Sequence, residues 1–184
     1  RLRRCGYRCV SYSYPSTTRS LTGNAAQLQE FLGHVPGGTV HFVGHSLGGL
    51  LILQLFKEYP AQRPGRIVTL GTPHQGSFAA RALARTHFGH RLLGAALPAL
   101  AHGLALAPAG REIGVIAGNL NFGLGWLIPG IPKPNDGTVA VAETCLPGAS
   151  DTRLVGASHT ALLFSARAAR HVCAFLRHGH FADA

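Results

Sequence analysis

The chain contains no methionine, one tryptophan and only seven acidic residues in 184. So few carboxylates form no cluster that would hold a metal ion, and they leave a short list for any catalytic acid. Against them stand seventeen Lys and Arg, a formal charge of +10, which raises nucleic acid or an acidic surface as a partner. The arginines are scattered, with no lysine-rich run and no aromatic-interleaved basic stripe, so nucleic-acid binding is not expected. Four cysteines, Cys5, Cys9, Cys145 and Cys173, form no Cys-x-x-Cys framework, and none has histidines at zinc-finger spacing. They read as buried thiols or surface residues, with one disulfide left open. There is no Gly-rich nucleotide loop and no His-Glu-x-x-His, so no cofactor and no metal are implied. The chain starts at Arg1 without a charged-then-apolar leader, as expected of a fragment whose natural N-terminus lies upstream. The one uncharged stretch near membrane-spanning length, 92–109, is interrupted by Gly94, Pro98, His102, Gly103 and Pro108.

With 46% apolar residues, the chain can bury a full core and reads as one domain over 1–184. Strand-like runs alternate with helix-like ones and no repeat is visible. That pattern predicts an α/β fold, a mostly parallel sheet with helices on both faces. Strands are expected over 7–14, 39–43, 66–70, 113–117 and 153–155. Asn24 is the expected cap of a helix that places Ala25, Leu28 and Leu32 on one face before Gly33. An almost wholly apolar helix after Ser46 should lie deep against the sheet, and Ala168, Ala169, Val172, Cys173 and Leu176 mark the inner side of a closing helix. Between these, 78–110 turns to Ala, Leu, Gly, His and Pro with weak helical periodicity, and reads as a cap or lid inserted over the sheet.

The most informative segment is Val40-His41-Phe42-Val43-Gly44-His45-Ser46-Leu47-Gly48-Gly49. A short apolar strand ends in Gly-x-Ser-x-Gly and becomes helix, the pattern of a nucleophile elbow. The turn is so tight that flanking side chains would collide, so Gly44 and Gly48 are expected to leave room while Ser46 is pushed into an exposed, strained position. The backbone N–H of Leu47, at the helix start, then points at an oxyanion formed when Ser46 attacks a carbonyl.

A serine nucleophile needs an imidazole base, and that imidazole needs a carboxylate. Glu30 precedes the serine, Asp183 is in the tail, Glu58 is at the far end of the nucleophile helix, and Glu112 and Asp151 sit before strands. Sites in such sheets form at the opposite edge, beyond the strands' C-terminal ends. Asp136 and Glu143 remain, and Asp136, in a Pro-Asn-Asp-Gly turn, is favoured. Of the histidines after it, His171 and His178 belong to the closing helix and His180 to the tail. His159, in a small-residue loop after a strand, is the expected base. His45, beside the serine, is a packing or pocket residue, and His74 either lines the pocket or shapes its own loop.

Three motifs together, Gly44-His45-Ser46-Leu47-Gly48-Gly49, Gly71-Thr72-Pro73-His74-Gln75-Gly76-Ser77, and Asp136-Gly137-Thr138-Val139 followed by His159, resemble the lipase-like branch of the α/β-hydrolase superfamily, the bacterial triacylglycerol lipases and esterases. The resemblance implies Ser46 as nucleophile, Asp136 as acid, His159 as base and a carboxylic ester as substrate. Those enzymes carry a further apolar strand ending in His-Gly ahead of the one expected over 7–14, and its loop supplies a second oxyanion N–H. No such segment occurs here, so residues 1–184 alone are expected to be a weak or inactive hydrolase. The uncharged cap favours a lipid or other hydrophobic acyl ester and allows peripheral contact with a lipid surface. The same triad would serve acyl transfer to an alcohol or thiol, and a non-catalytic binding protein on this fold is the remaining alternative.

Overall fold

The structure, a computed structural model, describes residues 1–123 and 128–182; Asp183 lies outside them. Four short strands, β1 Phe42–His45, β2 Ile67–Leu70, β3 Ile113–Gly118 and β4 Asp151–Val155, pair in that order and all run parallel. His45 stands level with Leu70, and Leu70 with Ile116, so the loops that follow these strands leave from one edge.

A parallel sheet needs cover on both faces, and period-two alternation distributes its side chains to do this. Ile67, Ile113 and Val115 face a core shared with α1 (Leu21–Gly33) and α2 (Leu47–Glu58). Their neighbours Val68 and Ile116 face a second core closed by Ala168, Val172, Phe175 and Leu176 of α6 (Ala166–His178). Every residue of α2 from Gly49 to Phe56 is buried, as its unbroken apolar run requires.

Four expectations are corrected or refined. The segment 7–14 forms neither strand nor helix. A strand exists through its ladder partner, and alternation of Tyr and Val cannot supply one. The backbone N–H groups of Val40, Phe42 and Ser46 donate to Pro64, Arg66 and Leu70 on the β2 side. By alternation, His41, Val43 and His45 present theirs to the other side, into a slot of about 980 Å³ between β1 and the 7–14 segment.

Asn24 does not cap α1. Ser20 does, its hydroxyl accepting from the Gly23 N–H at 3.1 Å, while buried Asn24 donates to the carbonyls of Pro15 and Arg19. Of the cysteines, Cys5 and Cys173 form a disulfide that fixes the N-terminal turn to α6, and Cys9 and Cys145 are free. Between β2 and β3 the weakly periodic stretch forms three short helices, α3 Phe78–Leu83, α4 His87–Leu93 and α5 Leu97–His102. Gly94 and Gly103, both at positive φ, end α4 and α5. Among the described residues, no helix is long and apolar enough to cross a membrane.

Candidate active site

The edge where the strands end carries every residue singled out for chemistry. Ser46 occupies the turn between β1 and α2 at φ +52°, the only non-glycine residue at positive φ among the described residues. Such a conformation costs about 1–3 kcal/mol and persists only where surrounding contacts enforce it. Here they do. The Ser46 N–H donates to the Leu70 carbonyl at 2.9 Å, and the Ser46 carbonyl accepts from the Thr72 hydroxyl at 3.0 Å. Leu47 is the first residue of α2, so its N–H has no partner within the helix.

The glycines of the turn divide the work differently from the sequence expectation. A Cβ on Gly44 would stand 2.6 Å from the Gly49 nitrogen, so strand and helix can approach only without one. A Cβ on Gly48 would meet nothing nearer than the Tyr14 hydroxyl at 3.9 Å. Gly49 is the second constrained position, because a Cβ there would overlap Thr72 at 2.0 Å.

Asp136 is almost wholly buried. Its Oδ1 accepts from the N–H groups of Thr138 and Val139 at 3.0 and 2.7 Å, and its Oδ2 meets His159 Nδ1 at 2.7 Å. The Asp136 carbonyl also accepts from the His159 N–H at 2.8 Å. The acid thus fixes both backbone and ring of the histidine, leaving Nε2 as the ring atom available for proton transfer. Glu143, the other carboxylate weighed from the sequence, is engaged elsewhere: it accepts from the N–H groups of Phe78 and Ala140 and pairs with Arg81 at 3.7 Å. It ties the start of α3 to the loop after Asp136.

Two glycines at the strand ends make room for this pair. A Cβ on Gly71, which follows β2 at φ +54°, would lie 3.1 Å from both Asp136 Oδ2 and His159 Nδ1. A Cβ on Gly118, the last residue of β3, would lie 2.8 Å from the Asp136 Cβ. Gly49, Gly71 and Thr72 stand in the motifs quoted above, but neither they nor Gly118 had a structural role expected from the sequence. The available signal was a Gly-Thr pair directly after a strand, where close backbone approach is a standing reason for glycine.

His45 lies with its ring centroid 4.6 Å from that of His159, its Nε2 2.9 Å from the His159 carbonyl. Burial holds its imidazole below the ordinary value and the neighbouring His159 adds to this, while the carbonyl bond and Asp136 oppose it. His74 is completely buried, with Nε2 3.1 Å from the Thr69 hydroxyl of β2, and burial pushes its pKa down to about 4. It braces the loop after β2 from within instead of facing an open surface. His41 accepts from the Arg66 N–H, and His171 is packed against Phe181 beyond α6. Among the described residues, no three His, Cys, Asp or Glu side chains are grouped to hold a metal ion.

No protein-family model matches the chain. Solved structures do. The Bacillus licheniformis lipase BlEst2 in mature form is similar at 22% identity and a TM-score of 0.68, over 89% of this chain and 76% of that one. Against the propeptide form of the same lipase, the match spans 90% of this chain and 42% of the other. A lipase-esterase related protein from Clostridium acetobutylicum is similar at 10% identity, TM-score 0.59, over 94% and 79% of the two chains. A hydrolase from Pseudomonas aeruginosa gives 18% identity, TM-score 0.54, over 83% and 69%. Likeness at these identities carries architecture, and the architecture of this chain is the α/β-hydrolase fold.

Proposed function

We propose that the protein is a serine hydrolase of carboxylic esters, with Ser46 as nucleophile, His159 as general base and Asp136 as the acid that orients it. The observation that carries this is the 2.7 Å bond between Asp136 and His159, set beside a strained serine at the strand ends. His159 Nε2 takes the Ser46 proton as Oγ attacks the ester carbonyl, and the Leu47 N–H stabilises the resulting oxyanion. The protonated histidine then gives its proton to the leaving alcohol, forming the acyl-enzyme. Water, deprotonated by His159, attacks that acyl-enzyme, releasing the carboxylic acid and restoring Ser46. No cofactor takes part.

A hydrophobic acyl or lipid ester is the substrate class best supported. Exposed apolar side chains stand on segments that follow the strand ends: Phe88 and Leu92 on α4, Leu120 and Phe122 after β3, Leu163 and Phe164 after β4. Exposed apolar side chains of this kind suit apolar chains or a lipid surface.

The test is hydrolysis of p-nitrophenyl esters of short and long acyl chains by the full-length protein, beside its Ser46→Ala and Asp136→Asn variants. Turnover should vanish with Ser46→Ala, fall about 10⁴-fold with Asp136→Asn, and favour the longer chains. Rates equal to background in all three folded proteins, with no fluorophosphonate label at Ser46, would leave a binding protein on a hydrolase scaffold.

A further inference from the structure

We propose that His45 is a positioning residue for the catalytic histidine: through an Nε2–H donated to the His159 carbonyl it fixes the base's loop to the residue bonded to the nucleophile. The inference rests on the serine-hydrolase function proposed above and adds to it a residue outside the triad.

His159 begins a short 3₁₀ turn, Thr160–Leu163, after β4, and three polar contacts hold it. Two come from Asp136, one to the His159 N–H and one to Nδ1. Both fix the base to the acid, and neither fixes it to the serine. The third, from His45 Nε2 to the His159 carbonyl at 2.9 Å, spans 114 positions of sequence and comes from the last residue of β1. Nucleophile and base follow β1 and β4, the two outer strands of the four-stranded order, so the sheet alone relates them only through two intervening strands. The His45 bond closes that distance directly.

Chemistry decides the proton's place. A carbonyl only accepts, so His45 must carry its hydrogen on Nε2. Burial favours the neutral ring, which with this bond is the Nε2–H tautomer with Nδ1 bare. A neutral ring is also what the site tolerates, because the imidazolium that forms on His159 lies 4.6 Å away, centroid to centroid. Lysine or arginine at position 45 would offer the same carbonyl a donor but place a fixed positive charge against that imidazolium.

The experiment compares wild type with His45→Leu, which keeps bulk and loses the donor, and His45→Gln, whose amide nitrogen reaches about as far as Nε2. Steady-state p-nitrophenyl ester kinetics and the thermal midpoint are measured for each. Misplacing a catalytic group by about 1 Å costs about 100-fold in rate. His45→Leu should therefore lose about 10- to 100-fold in kcat with KM within about twofold, and His45→Gln should regain most of it. Equal kcat in the leucine and glutamine variants, or wild-type kcat in the leucine variant, would overturn the proposal. A leucine variant that loses only thermal stability counts against it as well. A second readout does not need turnover. In ¹⁵N-histidine-labelled wild type, the resonances missing from His45→Gln identify His45 and must show the Nε2–H tautomer; the Nδ1–H form would sink the proposal. A full-length wild type without Ser46-dependent turnover would sink the hydrolase function instead, and the tautomer would still decide the bond.

Discussion

The Thr72 hydroxyl donates to the Ser46 carbonyl at 3.0 Å, so the loop after β2 holds the strained turn after β1. Thr72 is completely buried, and its methyl and hydroxyl fill the space left by the missing side chain of Gly49. Thr72→Val keeps the shape and removes the donor, leaving the Ser46 carbonyl short of one partner. A loss of about 1–3 kcal/mol of stability is expected. Denaturant unfolding measures it, and slower fluorophosphonate labelling of Ser46 should accompany it as the turn relaxes.

Gly71 lies against the bond between Asp136 and His159. An added Cβ would sit 3.1 Å from both bonded atoms, at a backbone φ that L-residues rarely adopt. Gly71→Ala should therefore lower kcat for ester hydrolysis by at least about 100-fold, the scale expected when a catalytic group moves by about 1 Å. Gly48→Ala, whose Cβ would meet nothing within 3.9 Å, should leave the fold's thermal midpoint nearly unchanged. Ester kinetics on Gly71→Ala and a circular dichroism melt on Gly48→Ala check the two outcomes.

Buried histidine makes the protein acid-sensitive. The folded-state pKa of His74 is about 4 against an ordinary 6.5, so protons bind the unfolded chain more readily. The stability associated with neutral His74 is fully present above pH 6.5 and is lost as pH falls toward 4, by about 3 kcal/mol in all. Burial lowers His41, His45 and His171 as well, and they act in the same direction. Unfolding free energy measured between pH 7 and pH 4 should fall less steeply in His74→Gln than in wild type.

The Cys5–Cys173 disulfide closes a loop with a sequence separation of 168. Tethering so long a loop restricts the unfolded chain, and its removal should cost about 2–5 kcal/mol. Dithiothreitol should lower the thermal midpoint of the wild type and leave a Cys5→Ser, Cys173→Ser double variant unmoved.

The sequence was most legible where the signal is local. The expected strands over 39–43, 66–70, 113–117 and 153–155 fall within three residues of β1 to β4 at each end. The apolar run after Ser46 is α2, and Gly179 ends α6 as expected. Turn chemistry placed Ser46, Asp136 and His159 in loops at one sheet edge, and the structure adds the bond between the latter two. Each of these features depends on a few adjacent residues, whose backbone preferences and apolar period are written in the chain itself.

What the sequence left open depends on residues far apart in the chain. Tyr7 to Tyr14 alternates like a strand, but no described strand lies in position to pair with it. Cys5 meets Cys173 only because the N-terminal turn packs on α6. Glu143 and Asp136 are both carboxylates after β3, and only the closure of the loops gives one to α3 and the other to His159. Likewise His45 and His74 look alike as histidines after strands, yet one reaches the His159 carbonyl and the other is sealed beneath its loop. Local pattern therefore determined the four strands, their order along the chain and the three residues proposed for chemistry. Tertiary packing decided which polar atoms meet, because a buried donor or acceptor takes the partner that the fold brings to it.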